Sequence, residues 1–229
     1  MLTNNIKGEK NNMKITKYPQ SCLFIETKGK KILVDPGVLK YKEEYFDTWN
    51  SVDAILITHK HPDHCNVSVL EKMNKDIVIY ATKEVQNAYP SLNITIVSSN
   101  DSIMVGDINI EVVHAIHGYQ PLLKGDKEIY ENVGYIIDDG EHRIYVTSDT
   151  ICFKNDYKAD VICMPVTGHG LTMSAFEAAL YIKEVEAKTV ILVHMDNPMY
   201  PPDFHYIDEM FHKQEVNYII IENEDTIII

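Results

Sequence analysis

The sequence Thr58-His59-Lys60-His61-Pro62-Asp63-His64 directly follows an apolar run over residues 53–57. That run has the length and β-branched content of a buried strand. Pro62 cannot continue a hydrogen-bond ladder, so the histidines are expected on a loop at the carboxyl end of this strand. A loop can turn several side chains toward one point, whereas a strand alternates them between two faces. Imidazole and carboxylate groups are ligands that zinc and similar metals prefer, so the stretch predicts a metal site rather than a histidine-rich surface loop.

Length and composition are those of an ordinary globular chain. It has 229 residues, of which 45% are hydrophobic and 24% are charged. A chain of this size can bury a large core without disulfides. We expect a disordered polar extension over residues 1–12 and one domain over residues 13–229.

The net charge of −13 bears on the partners of the chain. Nucleic-acid binding draws on Lys and Arg, so we expect a small-molecule substrate and no nucleic-acid partner. No segment has the unbroken apolar length of a membrane span, and we expect no membrane partner. The four cysteines lack metal-site or framework spacing, which favours free thiols and a cytoplasmic location. The composition leaves open whether the chain forms a homo-oligomer.

The rest of the chain alternates strands and helices in its first part and turns to antiparallel hairpins in the middle. Strands are predicted at 13–18, 22–27, 31–35, 53–57, 77–81, 94–98, 102–105, 108–116, 133–138, 143–147, 161–165 and 189–193, with two more closing the chain. Helices are predicted at 67–74, 83–89, 174–185 and from about 201 to 214. Ser174 and Glu177 have the spacing of a capping box at the start of the third helix.

Polar residues at the ends of other strands are candidates to complete the metal site. The strand reaching residue 117 offers His114 and His117, which face opposite sides of an ideal strand. We prefer His117 because it lies nearer the strand end and precedes Gly118. Two further strands end on Asp149 and on His194.

Together these residues resemble the metallo-β-lactamase-fold hydrolase superfamily, over about residues 13–229. The carrying pattern is His59-x-His61-x-Asp63-His64, followed by His117, Asp149 and His194. Shorter pieces are similar to the branch of small hydrolases that includes the L-ascorbate-6-phosphate lactonases. They are Ile32-Leu33-Val34-Asp35-Pro36, Ala115-Ile116-His117-Gly118, Ser148-Asp149-Thr150 and Thr172-Met173-Ser174.

The resemblance implies an α/β fold, a four-layer αββα sandwich of two mixed sheets flanked by helices. It implies two divalent metal ions at one edge of the sheets, with zinc favoured and manganese or iron as alternatives. His59, His61 and His117 would hold one ion, and Asp63, His64 and His194 the other. Asp149 would bridge the two ions, which would share a hydroxide nucleophile.

Four more positions carry expectations. Asp35 is expected to hydrogen-bond a ligand histidine. His169, in a glycine-flanked loop, is a candidate for substrate binding or proton donation. Two positions depart from the pattern of the branch: Gln20 stands where a histidine is usual, and Ser148 stands where glycine is usual, which changes the demands on the backbone.

The pattern therefore predicts a metal-dependent hydrolase that cleaves an ester, lactone or phosphodiester bond in a small molecule, with Asp63 orienting the nucleophile. A nuclease of the same fold is one alternative, disfavoured by the acidic charge. A non-catalytic metal-binding module is a second alternative. A di-iron redox protein is a third, and such relatives generally carry a carboxylate where His61 stands.

Overall fold

Two mixed β-sheets form the centre of the molecule. The structure, a computed structural model, describes residues 12–119, 128–168 and 171–229. Within these ranges, seven strands form the first sheet and six form the second. The first sheet has the order β13-β1-β2-β3-β4-β5-β6, with β1 Lys14–Lys17, β2 Leu23–Thr27, β3 Lys30–Val34, β4 Ala54–Leu56, β5 Val78–Ala81, β6 Ile94–Ile96 and β13 Thr226–Ile228. The second has the order β12-β11-β10-β9-β8-β7, with β7 Ser102–Val105, β8 Ile108–His114, β9 Val133–Asp138, β10 Arg143–Val146, β11 Val161–Pro165 and β12 Thr189–Val193.

Helices cover the outer face of each sheet. The helices are α1 Phe46–Trp49, α2 Val67–Leu70, α3 Lys83–Ala88, α4 Ala175–Val185 and α5 Phe204–Lys213. One apolar cluster lies between the sheets, a second lies under α1 to α3, and a third lies under α4 and α5. The two-residue period of the strands produces these layers: Ile32 and Val34 enter the central cluster, while Leu33 between them enters the helix-covered one. Each such buried side chain contributes about 1.5–3 kcal/mol. The predicted αββα sandwich is confirmed.

Strand direction brings the polar strand ends to one edge. β3 to β6 are mutually parallel in the first sheet, and β10 to β12 are parallel in the second. Hydrogen bonds across the two sheets hold this edge together: the Tyr135 hydroxyl donates to the Ile57 carbonyl at 2.9 Å, and the Val133 N–H donates to the Thr58 carbonyl at 3.2 Å. The end of β4 is thereby fixed against the second sheet.

The helix caps depend on residues that are close together in the sequence. The Ser174 hydroxyl accepts from the Glu177 N–H and the Glu177 carboxylate accepts from the Ser174 N–H, so the capping box of α4 is confirmed. Asp203 caps α5 by accepting from the Tyr206 N–H at 3.0 Å.

Two element predictions are wrong. The helix predicted at 67–74 ends at Leu70, because the following N–H groups bond three residues back instead of four and tighten the chain into a turn. The first of the two closing strands is reduced to an isolated bridge between Ile191 and Ile219.

In the described part of the chain, no helix combines the length and hydrophobicity that crossing a membrane requires. All four cysteines have free thiols, as predicted.

Candidate metal centre

A close backbone contact positions the loop 58–64. The Val38 N–H donates to the Pro62 carbonyl at 2.9 Å, and the Asn66 N–H donates to the Pro36 carbonyl at 2.7 Å. A Cβ atom on Gly37 would lie 1.8 Å from the Asp63 carbonyl oxygen. Only glycine permits this approach, so Gly37 determines where the histidine loop sits.

Three histidines form the first half of the site. His59 Nε2 and His61 Nδ1 lie 3.0 Å apart. The His117 ring lies with its centroid 4.8 Å from that of His61 and 5.1 Å from that of His59. One nitrogen of each ring falls within 4.8 Å of the others, so the three could hold one ion.

Asp63, His64 and His194 form the second half. Asp63 Oδ2 lies 3.4 Å from His194 Nε2 and 3.9 Å from His64 Nε2. Neighbouring ligands in a tetrahedral zinc site are about 3.3 Å apart, given bonds of about 2.0–2.1 Å. This group therefore also has the spacing that a metal ion requires.

Asp149 lies between the two halves. Its Oδ2 atom is 3.0 Å from His194 Nε2, 3.4 Å from His64 Nε2 and 4.0 Å from His117 Nε2. The first two histidines belong to the second half and the third to the first half. One carboxylate oxygen thus reaches both groups.

Hydrogen bonds orient the ligand nitrogens inward. Asp35 Oδ2 accepts from His64 Nδ1 and from the Thr58 hydroxyl, both at 2.8 Å, and Asp35 Oδ1 accepts from the Thr58 N–H at 2.8 Å. Because the Thr58 hydroxyl donates to Asp35, it accepts from His59 Nδ1 at 3.0 Å. His117 Nδ1 donates to the Gly118 carbonyl at 2.8 Å. The Nε2 lone pairs of these three histidines are left to face the centre. The hydrogen bond expected between Asp35 and a candidate ligand histidine is present, with His64 as its donor.

Backbone strain concentrates around the site. Four non-glycine residues near it have left-handed φ values: Gln20 (65°), Asp35 (47°), Ser148 (65°) and His194 (62°). Each such residue costs on the order of 1–3 kcal/mol, which the surrounding contacts must offset. Ser148 therefore takes the conformation that glycine would take at this position, and its hydroxyl donates to Asn132 Oδ1 at 2.6 Å.

Electrostatics separates the two halves. Burial, together with the neighbouring imidazoles, holds the pKa of His59 well below its usual range, and burial lowers the pKa of His117. Burial alone would also lower the pKa of His194, but the Asp149 carboxylate raises it to about 9. Against the effect of burial, His194 and His64 hold the pKa of Asp149 well below its usual range. The Asp149 carboxylate therefore favours positive charge in the second half, on an imidazole or on a metal ion.

The residues present fit a divalent metal. His64 Nε2 and Asp149 Oδ1 are buried and have no hydrogen-bond partner in the described part of the chain. Buried polar atoms without partners are costly, and in a donor set of imidazoles and carboxylates an ion satisfies them.

The structure brings together all seven sequence-predicted metal-ligand candidates, namely His59, His61, Asp63, His64, His117, Asp149 and His194. His114 is exposed and lies outside the group, in line with the preference for His117. One premise is wrong: the strand ends at His114, not His117. The chain leaves the ladder there because the Ile116 N–H bonds to the Thr150 hydroxyl at 2.9 Å. His169 lies outside the described residues.

Sequence reasoning missed three supporting residues. Asn132 Nδ2 donates to the Asp149 carbonyl at 2.8 Å, and Thr58 links Asp35 to His59. Asp196 binds the backbone N–H of Gln20 at 2.8 Å. Thr58 and Asp196 could have been predicted as supporting residues, because they lie close in sequence to predicted ligands. No feature of the sequence points to Asn132.

Fold and site together define a metal-dependent hydrolase of the metallo-β-lactamase fold. The family model described as the beta-lactamase superfamily domain matches residues 14–194, so the chain belongs to this superfamily. A UPF0173 metal-dependent hydrolase of Nanoarchaeum equitans is 26% identical over 227 residues, which cover 94% of this chain and 99% of the relative. One from Bacillus cereus is 30% identical over 197 residues, covering 80% and 85%. The structure of Igni18, a metallo hydrolase from Ignicoccus hospitalis, superposes with a TM-score of 0.77 at 21% identity and covers 95% of this chain and 98% of that one. Placement in the lactonase-like branch stays a prediction.

Proposed function

We propose that the chain hydrolyses an ester, lactone or phosphodiester bond in a small molecule and holds two divalent ions to do so. His59, His61 and His117 would bind one ion, and Asp63, His64 and His194 the other. The observation that carries this proposal is the position of Asp149 Oδ2, 3.0–4.0 Å from Nε2 atoms of both halves. The imidazole-rich donor set favours zinc, and the carboxylates leave manganese or iron as alternatives.

Two bound metal ions would lower the pKa of a coordinated water molecule toward about 7 and would stabilise charge on the attacking and leaving oxygens. The exposure of the two carboxylate side chains indicates a different role for each. Asp149 is 6% exposed and lies between the halves, so it serves as a fixed ligand. Asp63 is 27% exposed and can reach both water and substrate. Against the effect of burial, its pKa is lowered by His194 and His64, so it is a charged acceptor that orients the attacking water.

A small molecule fits the charge of the chain better than a polyanion does. The net charge of −13 disfavours binding to a nucleic-acid backbone. His169 remains a candidate proton donor to the leaving group. The choice among ester, lactone and phosphodiester rests on assay, because metal sites of this kind support many reactions.

The test combines metal reconstitution with a substrate panel. Chelator-treated protein is reconstituted with zinc, manganese or ferrous iron and assayed on lactones, phosphodiesters and thioesters. We expect metal to restore turnover. A metal content that never passes one ion per chain, even in millimolar zinc, would contradict the paired site.

The Asp63→Asn variant tests the assigned proton acceptor. It keeps the size of the side chain but removes its charge, so kcat should fall by on the order of 10²–10⁴-fold. The ion held by His59, His61 and His117 should remain bound. His142→Asn, in the turn between β9 and β10, is the control and should keep full activity. Full activity in Asp63→Asn with both ions bound would refute the assignment.

A further inference from the structure

The side-chain amide of Gln20 faces two ligand atoms of the second half. Gln20 is fully buried, and its Nε2 atom lies 3.0 Å from Asp63 Oδ2 and 2.9 Å from His194 Nε2. An amide nitrogen carries only donors. Its hydrogens therefore point at the Asp63 oxygen and at the His194 Nε2 atom, both of which a metal ion in this half requires.

Contacts with Asp196 fix which end of the amide faces the site. Gln20 Oε1 accepts from the Asp196 N–H at 3.2 Å, so a flipped amide would place two donors against each other. The Gln20 N–H donates to Asp196 Oδ2 at 2.8 Å, and the Gln20 carbonyl accepts from the His194 N–H at 2.9 Å. Asp196 is itself held by the buried Lys17 at 3.2 Å and by Asn223 at 2.9 Å. The amide nitrogen is thus locked toward Asp63 and His194.

This arrangement opposes a cation in two ways. A metal ion binds His194 only through the single Nε2 lone pair of the neutral imidazole, and in that form the Gln20 amide nitrogen 2.9 Å away donates to the same lone pair and competes with the metal bond. The amide hydrogens also carry partial positive charge, which repels an ion between Asp63 and His194. In the first half, the ring N–H groups of His59 and His117 donate outward, to Thr58 and Gly118.

We propose that Gln20 weakens the second half, so that the two halves bind divalent cations at well-separated concentrations and fill in order. The half of His59, His61 and His117 fills first. The inference rests on the proposed two-ion site and adds to it an order of loading and the residue that sets it. Displacing a hydrogen bond to a charged group corresponds to on the order of 10- to 100-fold in affinity.

The test is a zinc titration of the chelator-treated protein by calorimetry, backed by competition with a chromophoric chelator. Wild type should show two separate binding steps. Gln20→Ala should tighten the second step about tenfold or more and leave the first unchanged. Gln20→Glu, which keeps the size but presents acceptors, should also tighten it, and it serves if the alanine variant fails to fold.

Asn223→Ala is the matched control, because it disturbs the Asp196 network without facing a ligand lone pair. Its second step should match wild type, because Asp196 keeps its contacts with the Gln20 N–H and with Lys17. Two equal steps in wild type, or a weaker second step in Gln20→Ala and Gln20→Glu, would overturn the inference, since Gln20 would then support the site. A wild type that binds no zinc at all would instead remove the proposed two-ion function and this inference with it.

Discussion

Replacing Asp35 by asparagine should weaken metal binding in the second half of the candidate centre, because Asp35 holds the His64 ring from the side away from the metal. Asp35 is fully buried, and its carboxylate accepts three hydrogen bonds of 2.8 Å, from His64 Nδ1, the Thr58 N–H and the Thr58 hydroxyl. An amide has one acceptor oxygen and one donor nitrogen. If the amide nitrogen introduced by Asp35→Asn faces His64 Nδ1, two donors meet; if it faces the Thr58 N–H, two donors meet there instead.

The magnitude follows from these contacts. One buried donor left without an acceptor costs about 1–3 kcal/mol, and the lost charge adds to this. For a chain of this size, about 2 kcal/mol lowers Tm by roughly 4–8 °C. His64 can relieve the conflict by moving its proton to Nε2, but that removes the lone pair which faces Asp63 and Asp149. Loss of such a supporting carboxylate typically costs about 10- to 100-fold in metal affinity.

Thermal unfolding in chelator measures the first effect, and zinc titration measures the second. Asp53→Asn is the control, because Asp53 is a half-exposed carboxylate at the opposite end of β4, where it accepts from the Lys31 N–H and pairs with Lys30. That variant should keep the zinc affinity of wild type. If Asp35→Asn melted like wild type and bound zinc as tightly, the proposed role of Asp35 in orienting His64 would be wrong.

Three further outcomes are expected. Gly37→Ala should lower metal content and stability because its Cβ would overlap the Asp63 carbonyl, whereas Gly29→Ala, with open space around it, should cost only about 1–2 kcal/mol of backbone strain and keep its metal. Against the effect of burial, the Thr27 hydroxyl and two backbone N–H groups hold the pKa of Asp139 below its usual range, so the stabilisation by this carboxylate is complete above about pH 4 and is lost as pH falls through the folded-state pKa. The difference in unfolding free energy between wild type and Asp139→Asn should therefore shrink from pH 7 to pH 3. The explanation would be contradicted if this difference stayed constant with pH, or if the Thr27→Val background did not reduce it at pH 7. RNA and DNA should bind negligibly at low salt, and tight binding that weakens steeply with salt would revive the nuclease alternative.

Periodicity and spacing in the sequence predict the layers of the fold and the residues of the candidate centre. Two-residue alternation in strands such as β3 places one set of side chains between the sheets and the other under the helices. The stretch from His59 to His64 predicts a metal loop because its residue types and spacing are local features. Asp149 and His194 could be found because polar residues at the ends of parallel strands converge at one edge of a sheet. The capping box of α4 is likewise local, since Ser174 and Glu177 are only three residues apart.

What surrounds those candidate ligands depends on contacts between segments that lie far apart in the chain. Gln20 lies 174 positions from His194 in the sequence, and Asn132 lies 17 from Asp149, yet each makes a direct contact in the fold. The strand that leads toward His117 ends early because the Thr150 hydroxyl captures the Ile116 N–H, a competition that strand propensity does not report. The left-handed backbone of Gln20 and His194 is likewise imposed from outside, by hydrogen bonds between the two segments. Periodicity and spacing record what a residue prefers among its chain neighbours, whereas hydrogen-bond partners and strained backbones at this edge depend on which distant segments the two sheets bring together.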